Sequence, residues 1–208
     1  RRATRRWAAP RERRRVGRVP RHVFAFDPPE RFVAGTVGEP GQRTFFLQAR
    51  DAARVASVVV EKEQVSLLAE RLDALLDEVV RRSAGSAPVP SVAPAELEDL
   101  EPLDQPVVEE FRVGTLTLAW DGADDRVVIE AFAIREAEEG DDPEPTAAEE
   151  ADDRDLLVVR ISGASARAFV QRAQALVAAG RPPCPLCALP LDPEGHVCPR
   201  QNGYRRRS

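Results

Sequence analysis

Four side chains near the C-terminus have the types and spacing to hold a metal ion. Cys184-Pro-Leu-Cys187 sets two thiols two residues apart, and His196 and Cys198 follow. Two residues between thiolates let the backbone curl so that both sulfurs face one ion. If the later stretch is extended, His196 and Cys198 share a face, because strand side chains alternate. Leu189-Pro-Leu-Asp-Pro-Glu-Gly195 supplies the reversal that returns the second pair to the first. Three thiolates and one imidazole suit tetrahedral Zn2+, and four protein ligands leave no open position, so the expected ion is structural. A tail this small cannot fold on its own apolar area, and metal binding would supply the difference. The competing readings are a redox pair or incidental thiols. A redox CxxC normally opens a helix after a strand, whereas this one sits between prolines past the last expected helix.

Two other groups could do chemistry. Asp27, Glu30 and Arg31 flank Pro28-Pro29 and could form a carboxylate–guanidinium cluster. It reads either as a polar site of an enzyme or as a salt-bridged turn. Arg200, Tyr204, Arg205 and Arg206 set an aromatic among cations, which fits contact with nucleic acid or an acidic protein face, or a plain solvated terminus. A nucleophile–histidine scheme needs an imidazole, and His22 is the one left once His196 is assigned to metal. Gly35, Gly38 and Gly41 lie in a strand–turn context and make no phosphate loop.

The elements that must position these groups follow from periodicity. Residues 22–26, 31–38, 43–50 and 53–61 read as an antiparallel strand meander, broken by turns at 27–30 and 39–42. A helix begins near Glu63, with Val65, Leu68, Ala69, Leu72, Leu75, Leu76 and Val79 on one stripe. Residues 83–106 contain five prolines and read as an extended, mobile linker. The order then recurs: strands at 109–120, 126–136 and 154–162, and a helix from Ala164 to Ala179 that buries Phe169, Val170, Ala173, Leu176 and Val177. Phe32-Val-Ala-Gly35-Thr36 aligns with Phe111-Arg-Val-Gly114-Thr115. The expected fold is α+β: duplicated β-β-β-α units (22–82 and 107–180) with an antiparallel sheet and two amphipathic helices, plus a zinc-binding tail at 181–208. The units either cover each other or share one sheet.

Composition narrows the function classes. Apolar residues make up 43% of the 208 and aromatics only 5%, so the core must be mainly Val, Leu and Ala. Of 30 basic residues 29 are Arg, which points to a GC-rich genome. Residues 1–21 hold ten Arg and one acid, too little apolar surface to order. The stretch reads either as an arm for nucleic acid or an anionic surface or as sequence upstream of the natural start; with no Met in the chain, we expect the latter, with a start near Val19. The remainder has 20 basic and 34 acidic residues, a net charge of −14, which makes a poor nonspecific nucleic-acid binder. Residues 136–153 carry ten acids and no base, the composition of a solvated insertion rather than a calcium loop. No apolar run reaches the ~18 residues of a membrane span. We expect a cytoplasmic protein.

FDPPERFVAGTVGEPGQRTFFLQAR (26–50) and CPLCALPLDPEGHVCPRQNGYRR (184–206) closely resemble the domain-of-unknown-function 3090 family, found in actinobacteria. The resemblance runs in order from about residue 22 to 206. Members look as if they begin close to His22. The resemblance implies no catalytic residue, since the family carries none assigned. The residues therefore favour a zinc-binding, non-catalytic binding or adaptor module with a protein partner. An enzyme at the Asp27–Arg31 bend and a nucleic-acid binder are the alternatives.

Overall fold

The apolar runs become strands close to where alternation places them. A computed structural model describes residues 21–39, 41–52, 54–135, 153–179, 186–187 and 198. The strands are β1 (Val23–Phe26), β2 (Arg31–Val37), β3 (Thr44–Arg50), β4 (Val55–Val60), β5 (Glu109–Asp121), β6 (Arg126–Ala133) and β7 (Leu156–Ser162). The helices are α1 (Lys62–Arg82), after β4, and α2 (Gly163–Ala178), after β7. At the start of α1 the Glu61 N–H donates to Gln64 Oε1 at 2.8 Å, and Arg81 and Arg82 lie in its last turn, where cations oppose the helix dipole. Ser162 caps α2 by accepting from the Ser165 N–H at 3.1 Å.

The seven strands form one sheet in the order β1-β7-β6-β5-β4-β3-β2. It is mixed, which corrects the antiparallel expectation: β1 runs parallel to β7, and β4 parallel to β5. Two causes are visible in the chain. Pro28-Pro29 removes two donors at the bend, so β1 does not hairpin onto β2 and instead pairs with the last strand. The return from β4 passes through α1 and a long connection, and a crossover brings the chain back parallel. Both helices pack on one face, where Val65, Leu72, Leu76, Phe169, Val170 and Ala173 meet Leu47, Val58, Ile129 and Val159 in a single core.

The sheet must curl. Six strand spacings of about 4.8 Å would hold the margins β1 and β2 about 29 Å apart if it were flat. Phe26 and Arg31 are joined by four residues, a reach of at most about 18 Å. The curl shows directly in Arg54, just before β4, which donates to the Ala25 carbonyl of β1 and lies 4.7 Å from the Phe26 ring centroid.

Residues 83–106, expected as an extended and mobile linker, include a 3-10 turn at Ala95–Leu97 and are fastened along their length. Val89 lies so close to Gly163 that a Cβ there would come within 2.7 Å of it. The Pro90 carbonyl accepts from Arg167 Nε of α2 at 3.2 Å. Further on, Leu103 is 5% exposed and covers Val33, Phe46 and Val59 on the face of the sheet away from the helices. Gly35 makes room for it, since a Cβ would stand 2.5 Å from the leucine. Gln48, 1% exposed, completes the anchor: its amide donates to Ser57 Oγ (3.0 Å) and to the Asp104 carbonyl (3.1 Å), and its oxygen accepts from the Asp104 N–H (2.8 Å). The segment is thus a strap that rounds the β2 margin from the helix layer to the outer face.

Candidate functional site

The polar groups singled out at the bend fall into separate networks. Arg31 opens β2 and turns toward the strap. Its Nε and Nη2 meet the two oxygens of Asp99 at 2.6 and 3.0 Å, and Nη1 meets Asp104 at 3.1 Å. Arg172 of α2 reaches the same place: Nη1 meets Asp99 Oδ1 at 2.8 Å and Nε donates to the Ala34 carbonyl at 2.9 Å. Two guanidiniums therefore share one carboxylate. The hydrogen bond from Arg31 holds the Asp99 carboxyl below the usual range, with Arg172 adding to it. The same bond raises Arg31, whereas burial outweighs Asp99 at Arg172 and lowers it. Asp99 gives Arg31 two oxygens and Arg172 one, and Arg172 makes up the rest with backbone carbonyls: Nη1 donates to that of Asp99 and Nη2 to that of Glu101 at 2.6 Å.

Asp27 faces the other way, toward Arg160 of β7. Arg160 Nη2 meets Asp121 and Asp124 at 2.8 Å each. Its Nε lies 3.0 Å from Asp27 Oδ2 but off the N–H axis, so that contact is charge attraction without an aligned hydrogen bond. Glu30 stays exposed and ties to β3 through its backbone, donating to the Arg50 carbonyl at 2.8 Å.

Between the bend, β2, the end of β7 and α2 lies a cleft of about 130 Å³. Arg31, Asp99, Arg126, Ser162, Ser165 and Arg172 supply its polar lining. Phe32 and Phe169, stacked at 4.8 Å, line it as well. Sequence reasoning found Glu30 and Arg31 but missed Asp99, Arg126 and Arg172. They come from three elements far apart in the chain, and no local spacing marks them. The one local signal is Ser162-Gly-Ala-Ser165, a helix cap.

In the tail, Leu186 and Cys187 form a turn, Cys187 is half-buried, and Cys198 is 3% exposed. Cys184 and His196 lie outside the described residues, as do Arg200, Tyr204, Arg205 and Arg206, residues 1–20 and the acidic stretch 136–152. No helix of the described residues is long and apolar enough to cross a membrane.

Residues 24–198 match the family described as Protein of unknown function (DUF3090). The chain belongs to the DUF3090 family. The matched span takes in the sheet from Phe24 onward, both helices, the strap and all four zinc-ligand candidates, and it stops before Arg200. No curated protein and no solved structure matches the chain.

Proposed function

We propose that this DUF3090 chain is a cytoplasmic, non-catalytic binding module whose C-terminal tail is ordered by one structural zinc ion on Cys184, Cys187, His196 and Cys198. The observation that carries the reading is Cys198: its side chain is out of water at 3% exposure, near the end of the chain, and is the last residue of the family-matched span. The turn at Leu186 and Cys187, the described half of the Cys184–Cys187 span, supports the reading, since a two-residue knuckle needs the chain to bend there. Thiolates serving as metal ligands fit a reducing compartment.

The alternative places an enzyme at the bend, where a cleft does exist. The non-catalytic reading is supported by what lines it. Its inner carboxylate, Asp99, is held ionised by two arginines and is poorly suited to trade protons near neutrality. His22, the imidazole among the described residues, sits exposed at the β1 margin, 3.5 Å from Asp155. We also read the two β-β-β-α units as copies of one ancestor. They follow each other in the sheet in the same direction, and Gly35 and Gly114 take corresponding places in β2 and β5.

Metal content of the purified full chain tests the zinc. About one equivalent is expected, with cobalt substitution giving the absorption of a tetrahedral thiolate site. Cys198→Ser should lose the metal while the sheet's circular dichroism persists. Less than about half an equivalent in the parent protein after growth with zinc overturns the proposal.

A further inference from the structure

The cleft at the bend holds a positive charge that the fold leaves unused. Arg126 starts β6 opposite Ser162. It lines the cleft half-buried, and its guanidinium has no hydrogen bond or ion pair with any described residue. Arg172 shares Asp99 with Arg31 and also donates to the carbonyls of Ala34, Asp99 and Glu101, which leaves one of its five N–H groups for a ligand. The charged groups lining the cleft are Arg31, Arg126 and Arg172 against Asp99 and Glu30. Asp99 is spent on two cations, and Glu30 is exposed. One cation in excess remains. Beside it stand the hydroxyls of Ser162 and Ser165, 2.9 Å apart; one donates to the other, which leaves one proton of the pair for a ligand.

We propose that this cleft binds a compact oxyanion, inorganic phosphate or the phosphate of a monoester, held chiefly by Arg126, with the remaining N–H of Arg172 and the free hydroxyl proton of the Ser162–Ser165 pair. Guanidinium forks and hydroxyl donors match phosphate oxygens in geometry as well as charge. A space of about 130 Å³ exceeds what one or two waters fill and suits a headgroup with a few attached atoms. Phe32 and Phe169 supply an apolar surface for what the headgroup carries. The site lies in the folded body and is independent of any metal in the tail.

Titration of the full chain with inorganic phosphate and with phenyl phosphate, at ionic strength fixed with sodium chloride and followed through the Ser162–Ser165 amide signals, tests it. Saturable shifts with either compound support the site. Tighter binding of the phenyl ester identifies a monoester as the source, and equal binding identifies free phosphate. Arg126→Gln should weaken binding about tenfold or more, because a charge-assisted contact is lost, with the thermal midpoint of the ligand-free protein unchanged. Glu30→Gln should tighten binding about two- to fivefold by removing a carboxylate from the rim. No saturation with either compound overturns the proposal. So does a response that chloride alone reproduces, or one that Arg126→Gln leaves intact.

Discussion

The two halves of the sheet use the same succession of strands but treat their outer faces differently. In β2, β3 and β4 the outer residues Val33, Phe46, Gln48, Ser57 and Val59 are buried beneath Leu103 and the strap. In β5, β6 and β7 the corresponding face carries Thr115, Thr117 and Ala119, all exposed, and Glu130 and Arg160, half-exposed. There Thr117 simply donates to Glu130 at 2.8 Å. The contrast is written into composition. β4 reads VASVVV and is buried on both faces from its second residue on, while β6 reads RVVIEAFA and alternates. A strand covered on both sides needs an unbroken apolar run; one covered on a single side does not.

Removing the cover should have the largest effect. Leu103→Ala empties the space above Gly35 and Phe46 and should cost about 2–4 kcal/mol in equilibrium denaturation. Placing the same polar change on each outer face sharpens the contrast. Val59→Thr, under the strap, should cost about 1–3 kcal/mol for a buried hydroxyl, to be read from urea midpoints. Asp99→Asn takes the shared carboxylate from Arg31 and Arg172 and should cost about 1–2 kcal/mol, with faster proteolysis at residues 95–105 as the local readout. Acid should do part of the same work. The Asp99 carboxyl is lowered in the folded protein, so its stabilisation is complete above its ordinary value of 3.8 and disappears as pH falls below it. Asp99→Asn should flatten the stability profile in that range. Val128→Thr, on the bare face of β6, should change stability by less than about 0.5 kcal/mol. Equal costs for Val59→Thr and Val128→Thr would break the comparison.

The strands and helices were legible because each carries its own period. The α1 stripe from Val65 to Val79 names the residues that are buried, except that Leu75 is only partly covered. The destination of β1 was not legible, since HVFAF says nothing of a partner 133 residues away. The strap was misread for a related reason. Five prolines and a scatter of small residues look like a free connector, and its hold depends on single anchors, Val89, Asp99 and Leu103, that have no repeat. The same holds for the cleft. Arg31 drew notice beside two prolines, but its carboxylate partner lies 68 residues on, and Arg126 and Arg172 look like ordinary surface cations until the curl brings them to the bend.

The pairing of β1 with β7 also sets an order of events during synthesis. Val23 finds its neighbour only when Leu156 has been made, so β1 waits for nearly all of the described body. At translation speeds of ~5–20 residues per second that delay is on the order of ten seconds, during which β1 lacks the strand it pairs with. A chain stopped before residue 156 would leave the β1 backbone without a ladder, an open strand edge for whatever attends nascent proteins.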